Sequence, residues 1–205
     1  MTEKQTLTVR KKNAILAAAV DEFLEKGFAA ASMDSLAKRA EVSKRTVYNH
    51  FDSKEVLFEA IVMQLMARQA EMVNIEYDPQ QPLEQQLRDF ASKELALLKS
   101  DRFIELARMM MAEFLRVPAM AEQIMSQLDS QISCLSRWVE AAMADGQLQQ
   151  GDPSLAADQF IGLIKAGAFW PQLLKGAELP DEQCCQQLVD DAVLMFMARY
   201  GADHR

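Results

Sequence analysis

The stretch from Ser32 to Glu55 constrains this chain more than any other. It reads Ser-Met-Asp-Ser-Leu-Ala-Lys-Arg-Ala-Glu-Val-Ser-Lys-Arg-Thr-Val-Tyr-Asn-His-Phe-Asp-Ser-Lys-Glu. Leu36, Ala37 and Ala40 recur at helical spacing and face inward, as do Val42, Val47 and Phe51. Ser32 and Ser43 each precede a helical run, where a side-chain oxygen accepts from an otherwise unpaired first-turn amide. Two short helices joined by a tight turn are therefore predicted. The second, from Lys44 to Phe51, turns Lys44, Arg45, Thr46, Tyr48, Asn49 and His50 outward, with two bases and no acid. An ordinary solvated helix face carries both signs in similar numbers. This one suits a helix lying in the major groove of DNA, with Lys44 and Arg45 at its base-reading end. Arg45 has the fork for guanine, Asn49 the amide for adenine, and Thr46 reaches a base or a phosphate.

Only 7 Gly and 6 Pro in 205 residues leave little room for the turns of an all-β fold, and the abundant Ala, Leu, Gln, Glu and Met favour helix. An all-α chain of about nine helices is expected. The first runs from about Thr8 to Lys26 and is closed by Gly27. The fourth opens near Asp52, which stands at capping-box spacing from Glu55, and ends near Val73. After the loop Tyr77-Asp78-Pro79-Gln80-Gln81-Pro82 come helices over 83–99 and 101–116. A long helix over 119–145 carries Ile124, Leu128, Ile132 and Leu135 on one stripe. Another covers Pro153 to Lys175 with Pro171 inside it, and the last covers 181–200. A functional boundary is expected between residues 1–52, which contain the DNA-contacting segment, and residues 53–205.

A net charge of −8 looks wrong for a nucleic-acid partner until it is divided. Residues 1–52 hold nine Lys/Arg against seven Asp/Glu, a balance of +2, and the remainder carries −10. Phosphate affinity depends on the local patch, here Arg10, Lys11, Lys12, Lys38, Arg39, Lys44 and Arg45. No apolar run approaches the roughly 18 residues of a membrane span, and no signal-peptide pattern opens the chain, so a cytoplasmic location is expected. Cys134, Cys184 and Cys185 lack metal-ligand spacing. The two histidines, His50 and His204, stand in the recognition segment and near the C-terminus. No nucleophile elbow or phosphate loop is present. Neither enzyme chemistry, a metal nor a cofactor is expected.

The ordered set Ile15-Leu16, Ala18-Ala19, Phe23, Glu25-Lys26-Gly27-Phe28, Leu36-Ala37, Val42 to Phe51 and Ser53-Lys54-Glu55 resembles the DNA-binding region of TetR/AcrR-type transcriptional regulators. The likeness covers roughly residues 10–60 without gaps. Glu41 departs from it, because the family often has glycine in this turn; mild backbone strain is expected there. The resemblance implies that Tyr48, His50 and Lys54 hold phosphates; for His50, packing beside Phe51 to orient the helix is the alternative. Arg116-Val117-Pro118, Gly146-Gln147-Leu148, Asp152-Pro153, Ala156-Ala157 and Phe160 are similar to the regulatory half of some TetR-like proteins.

That half implies a pocket for a small, largely apolar effector, with Phe103, Met110, Phe114, Trp138 and Phe160 as candidate linings. The thirteen methionines suit an adaptable cavity, although core filling accounts for most of them. Reading an operator with one helix-turn-helix per subunit calls for two subunits. The last two helices resemble the family's dimer bundle. Gly162, Ala166 and Gly167 permit close approach there, while Leu188, Ala192, Met195 and Phe196 supply an apolar stripe that serves equally as core. The resulting expectation is a ligand-responsive repressor binding a palindromic operator in duplex DNA as a homodimer. Two other readings remain: a helical module whose basic end meets an acidic protein, and a thiol-responsive regulator using Cys184 and Cys185.

Overall fold

A computed structural model describes residues 3–129 and 133–202. Among these, eleven helices and no strand are present: α1 Glu3–Ala30, α2 Met33–Arg39, α3 Lys44–Tyr48, α4 Lys54–Met72, α5 Leu83–Leu98, α6 Asp101–Arg116, α7 Pro118–Asp129, α8 Cys134–Ala144, α9 Pro153–Ala168, α10 Trp170–Lys175 and α11 Glu182–Tyr200. The all-α expectation holds. The count exceeds nine because two expected helices are each divided. The long helix over 119–145 becomes α7 and α8, and α8 starts anew at Ser133, whose Oγ accepts from the Ser136 amide at 3.0 Å. Ile132, expected on its stripe, lies outside the described residues, as does His204; the side chain of Leu128 is likewise undescribed. The helix over Pro153 to Lys175 breaks at Phe169 into α9 and α10, since Pro171 has no amide to donate to the preceding turn.

α1 starts earlier than Thr8 and continues past Gly27 with a kink, where the backbone reaches φ 78°, ψ 158°. That region is essentially open to glycine alone. The corner redirects the chain toward Ser32, which accepts from the Ser35 amide at 3.2 Å while Ser35 Oγ accepts in return from the Ser32 amide at 3.3 Å. The start of α4 differs from expectation. Ser53, not Asp52, provides its cap, its Oγ accepting from Val56 N–H at 3.2 Å.

The chain packs as two compact units, residues 1–67 with 105–128, and residues 68–104 with 129–205. In the first, Ile15, Leu16, Ala19, Phe23, Leu36, Val47, Phe51, Leu57, Phe58 and Ile61 form one buried core with Met110 and Ile124. Phe23, Phe28 and Phe58 meet at ring separations of 5.2 to 6.4 Å, and Phe114 adds an edge contact to Phe58 at 6.3 Å. In the second, α9 packs against α5, α8, α10 and α11. Phe160 lies between Phe90 and Phe196, at 6.2 and 5.4 Å. The buried amide of Gln86 ties down the 78–82 loop, donating to the carbonyls of Asp78 at 2.8 Å and Gln81 at 2.9 Å. Its Oε1 accepts from the Trp138 indole at 2.8 Å.

A Cβ on Gly27 would meet no atom within 4 Å, so substitution there tests backbone strain alone. Gly27→Ala is expected to destabilise the protein by about 1–3 kcal/mol in denaturant unfolding. An unchanged midpoint would show that the kink relaxes without cost.

Candidate nucleic-acid interface

The recognition segment is set by three local devices. Ser43 Oγ accepts from the Thr46 amide at 3.1 Å and shares a 2.8 Å hydrogen bond with the Thr46 hydroxyl. Val47 is fully buried and Phe51 nearly so, which pins one side of the segment into the core. α3 itself ends at Tyr48, shorter than the expected Lys44–Phe51 helix, but His50 and Phe51 N–H groups still donate to the Val47 carbonyl and complete a turn. In the turn between α2 and α3, Glu41 takes φ 54°. Its amide donates to Lys38 O at 3.2 Å and the Val42 amide to Ala37 O at 3.0 Å. This is the Schellman pattern that usually employs glycine, so the mild strain expected at Glu41 is present.

Arg45, Tyr48 and Asn49 are exposed, Thr46 and His50 at least partly accessible, and the His50 ring lies 6.3 Å from that of Phe51. Both readings of His50 therefore retain a physical basis. Lys44 is exposed but pairs with Asp34 on α2. Lys54 is placed differently from a free phosphate ligand. Its ammonium donates to the carbonyls of Phe28 at 2.7 Å, Ala29 at 3.1 Å and Ala31 at 3.3 Å, and lies 4.6 Å from the Phe28 ring centre. It fastens the first turn of α4 to the end of α1. Backbone acceptors leave no trace in side-chain spacing, so this role was invisible in the sequence. Nearby, the buried Glu22 carboxylate joins α1 to α2. It accepts from Lys26 at 2.7 Å and Arg39 at 3.0 Å, and its pKa is lowered by hydrogen bonds from Lys26, Ser35 and Arg39 against the effect of burial. Arg39 also pairs with Glu25.

A family model for bacterial regulatory proteins of the tetR family matches residues 15–61, and one described as the AefR-like transcriptional repressor C-terminal domain matches residues 85–202. The chain belongs to the TetR family. It is 31% identical to the HTH-type transcriptional regulator UidR of Escherichia coli K12 over 157 residues, 75% of this chain and 74% of that one. A crystal structure of a TetR family regulator from Pseudomonas syringae is 35% identical with a TM-score of 0.77 and covers 98% of both chains. A structure of the flavonoid-responsive regulator FrrA is 29% identical with a TM-score of 0.80, covering 95% of this chain and 98% of that one. The protein is thus a DNA-binding regulator of transcription and not an enzyme. No helix among the described residues is long and apolar enough to cross a membrane.

The candidate effector residues fall in both units. Met110 and Phe114 belong to the core of the first unit. Phe103, Trp138 and Phe160 belong to the second, where Phe103 lies 6.5 Å from Phe169 and Trp138 lies edge-on to Tyr77 at 6.1 Å. The candidate interface residues separate by exposure. Gly162, Ala166, Met195 and Phe196 line a groove of about 360 Å³ between α9 and α11, together with Leu163 and Arg199. The space beside Gly167 is filled within the chain itself, since a Cβ there would sit 2.9 Å from Leu188. Ala192 and Phe196 are buried, whereas Met195 and Leu194 are 55% and 68% exposed. Leu194, missed in the sequence, signals itself only as an apolar residue off the buried stripe. Trp170 and Leu174 on α10 are exposed in the same way.

Glu94 on α5 is buried in the second unit, and burial raises its pKa against the opposing pull of Lys165 on α9 and a hydrogen bond from Gln69 on α4. Its folded pKa exceeds the unfolded one. The associated stability is complete below the unfolded pKa and is lost as pH rises through the folded value. Glu94→Gln should therefore raise the melting temperature more at pH 8 than at pH 4, and an equal shift at both would remove burial of the charge as the cause. Lys54→Ala should lower stability by up to about 2 kcal/mol in the absence of DNA, measured by urea unfolding. A loss of DNA affinity with unchanged stability would instead assign Lys54 to phosphate alone.

Proposed function

We propose that this TetR-family protein is an effector-responsive repressor that binds a palindromic operator as a homodimer, with residues 1–52 reading DNA and residues 53–205 binding effector and partner. The observation that carries this reading is the recognition segment. Val47 and Phe51 are held in the core while Arg45, Tyr48 and Asn49 stand exposed on the opposite side. Arg45 offers a bidentate fork to guanine and Asn49 an amide pair to adenine. Lys44, Thr46, Tyr48 and His50 then reach phosphate or base edges beside them, and Lys54 holds the frame.

Repression is supported by the description of the matching C-terminal family, and effector response by FrrA, described as flavonoid-responsive. A small, largely apolar effector in the second unit suits Phe103, Trp138 and Phe160; Met110 and Phe114 stand as further candidates on α6. Such an effector releases DNA only if it binds the DNA-incompetent state more tightly, and DNA must then weaken effector binding by the same factor. The groove between α9 and α11, with Met195 and Leu194 exposed beside it, supports a second copy as partner.

The thiol-responsive reading is weaker. Cys184 is exposed, but its hydrogen bond to Asp181 pushes the thiol pKa up and so reduces the reactive thiolate. Cys185 is buried and donates to the Pro180 carbonyl at 3.2 Å.

Selection of sites from random duplex DNA should enrich an inverted repeat with half-sites one helical turn apart, about 34–36 Å. Arg45→Ala should then cost about 1–3 kcal/mol and relax preference at one position of each half-site. Met195→Glu should shift the protein to monomer in sedimentation and abolish tight operator binding. A folded dimer that enriches no sequence would sink this reading and favour a basic module for an acidic protein partner.

A further inference from the structure

The structure neutralises much of the positive charge near the recognition segment. Lys26 and Arg39 are paired with Glu22 and Glu25, Lys44 with Asp34, and Lys54 is held by backbone carbonyls. Arg10, Lys11, Lys12, Lys38 and Arg45 remain exposed without an ion pair among the described residues. Three of these five are consecutive on α1. From Lys4 to Val20 the sequence contains no acid, so nothing on the same stretch of helix offsets them.

Their position is equally informative. Arg10 to Lys12 stand about one turn before Ile15, the first buried residue of α1 among the described side chains. The Lys12 ammonium lies 5.9 Å from the ring centre of Phe51, the residue that closes the recognition segment. The basic turn of α1 thus borders the end of that segment within one packed unit. Its side chains are long and cationic, a form suited to phosphate oxygens.

We propose that Arg10 and Lys11 form a second DNA-contacting surface that binds backbone phosphates outside the groove occupied by α3, with Lys12 anchoring this turn against Phe51. The proposal rests on the operator-binding reading. It adds a sequence-independent clamp that positions α3 without choosing bases. Each phosphate neutralised releases condensed counterion, contributing about 0.9 to the slope of log affinity against log salt.

The test compares wild type, the double variant Arg10→Gln/Lys11→Gln and Arg45→Ala on the selected operator and on a random duplex, from about 50 to about 200 mM salt. The double variant should bind both duplexes more weakly by the same factor, with a slope shallower by about 2 per protomer. Arg45→Ala should instead weaken operator binding more than random-duplex binding, by relaxing preference at one position of each half-site. An unchanged slope in the double variant overturns the proposal, as does a loss confined to the operator, which would make these residues base readers. Should wild type bind duplex DNA without any preferred site, the operator reading fails, while a reduced slope in the double variant still upholds the phosphate surface. Both exposed positions should leave the melting temperature unchanged; if the pair does not fold, Lys11→Gln alone carries the test, with a slope change of about 1.

Discussion

The orientation of the recognition segment depends on the packing of Phe23, Phe28 and Phe58. These rings draw the end of α1 and the first half of α4 together, and α2 and α3 fill the angle between them through Leu36, Ala37, Val47 and Phe51. Buried aromatic surface supplies the attraction, but it is weakly directional. Direction comes from polar fastenings at the rim: the left-handed turn at Gly27, the Lys54 ammonium on three carbonyls, and the Glu22 carboxylate shared by Lys26 and Arg39. Each ties the corner between α1 and α2 to a neighbour. A single helical turn such as α3 is not stable alone, because nucleating it fixes several dihedral angles for few hydrogen bonds. It exists here because its buried side and its Ser43 cap are provided for it.

The same fastenings decide which charges are available to a partner. Sequence composition counts every Lys and Arg before residue 53 as part of a basic patch. In the folded unit Lys26, Arg39 and Lys44 hold acids, so the patch is smaller and moved toward the start of α1. An ion pair with an exposed acid is weak and exchangeable; Lys44 can leave Asp34 for a phosphate at little cost. Lys54 is different, because leaving would strip three backbone acceptors of their donor. Position in the network, more than residue type, separates a cation that can serve DNA from one that serves the fold.

The legible part of this molecule is the part written in side-chain chemistry at short range: the caps at Ser32 and Ser43, the strained Glu41 turn, the buried faces of α2 and α3, and the all-helical class. Features that depend on backbone acceptors or on packing at long range could not be read. The Ser53 cap displaced Asp52 because both residues have capping chemistry and only local geometry chooses between them. Helical periodicity carried straight across the breaks at Ser133 and Phe169, since apolar spacing persists on both sides of each. On α11 an apolar stripe was visible, but not that Ala192 and Phe196 turn inward while Leu194 and Met195 turn outward. Met110 and Phe114 share a helix with Phe103 yet pack in a different unit, and spacing within one helix contains no information about that division.

A small number of available bases has a consequence for the proposed dimer. If each head engages only a few phosphates, few counterions are released and binding by one head stays weak at physiological ionic strength. Joining two heads makes the second contact intramolecular, and its contribution depends on whether both recognition segments fit successive turns of DNA together. An effector then has no need to damage either head. Changing the separation of the two segments removes the second contact and most of the affinity with it. The strong acidity of the remainder acts in the same direction, opposing non-specific association wherever the heads are not engaged.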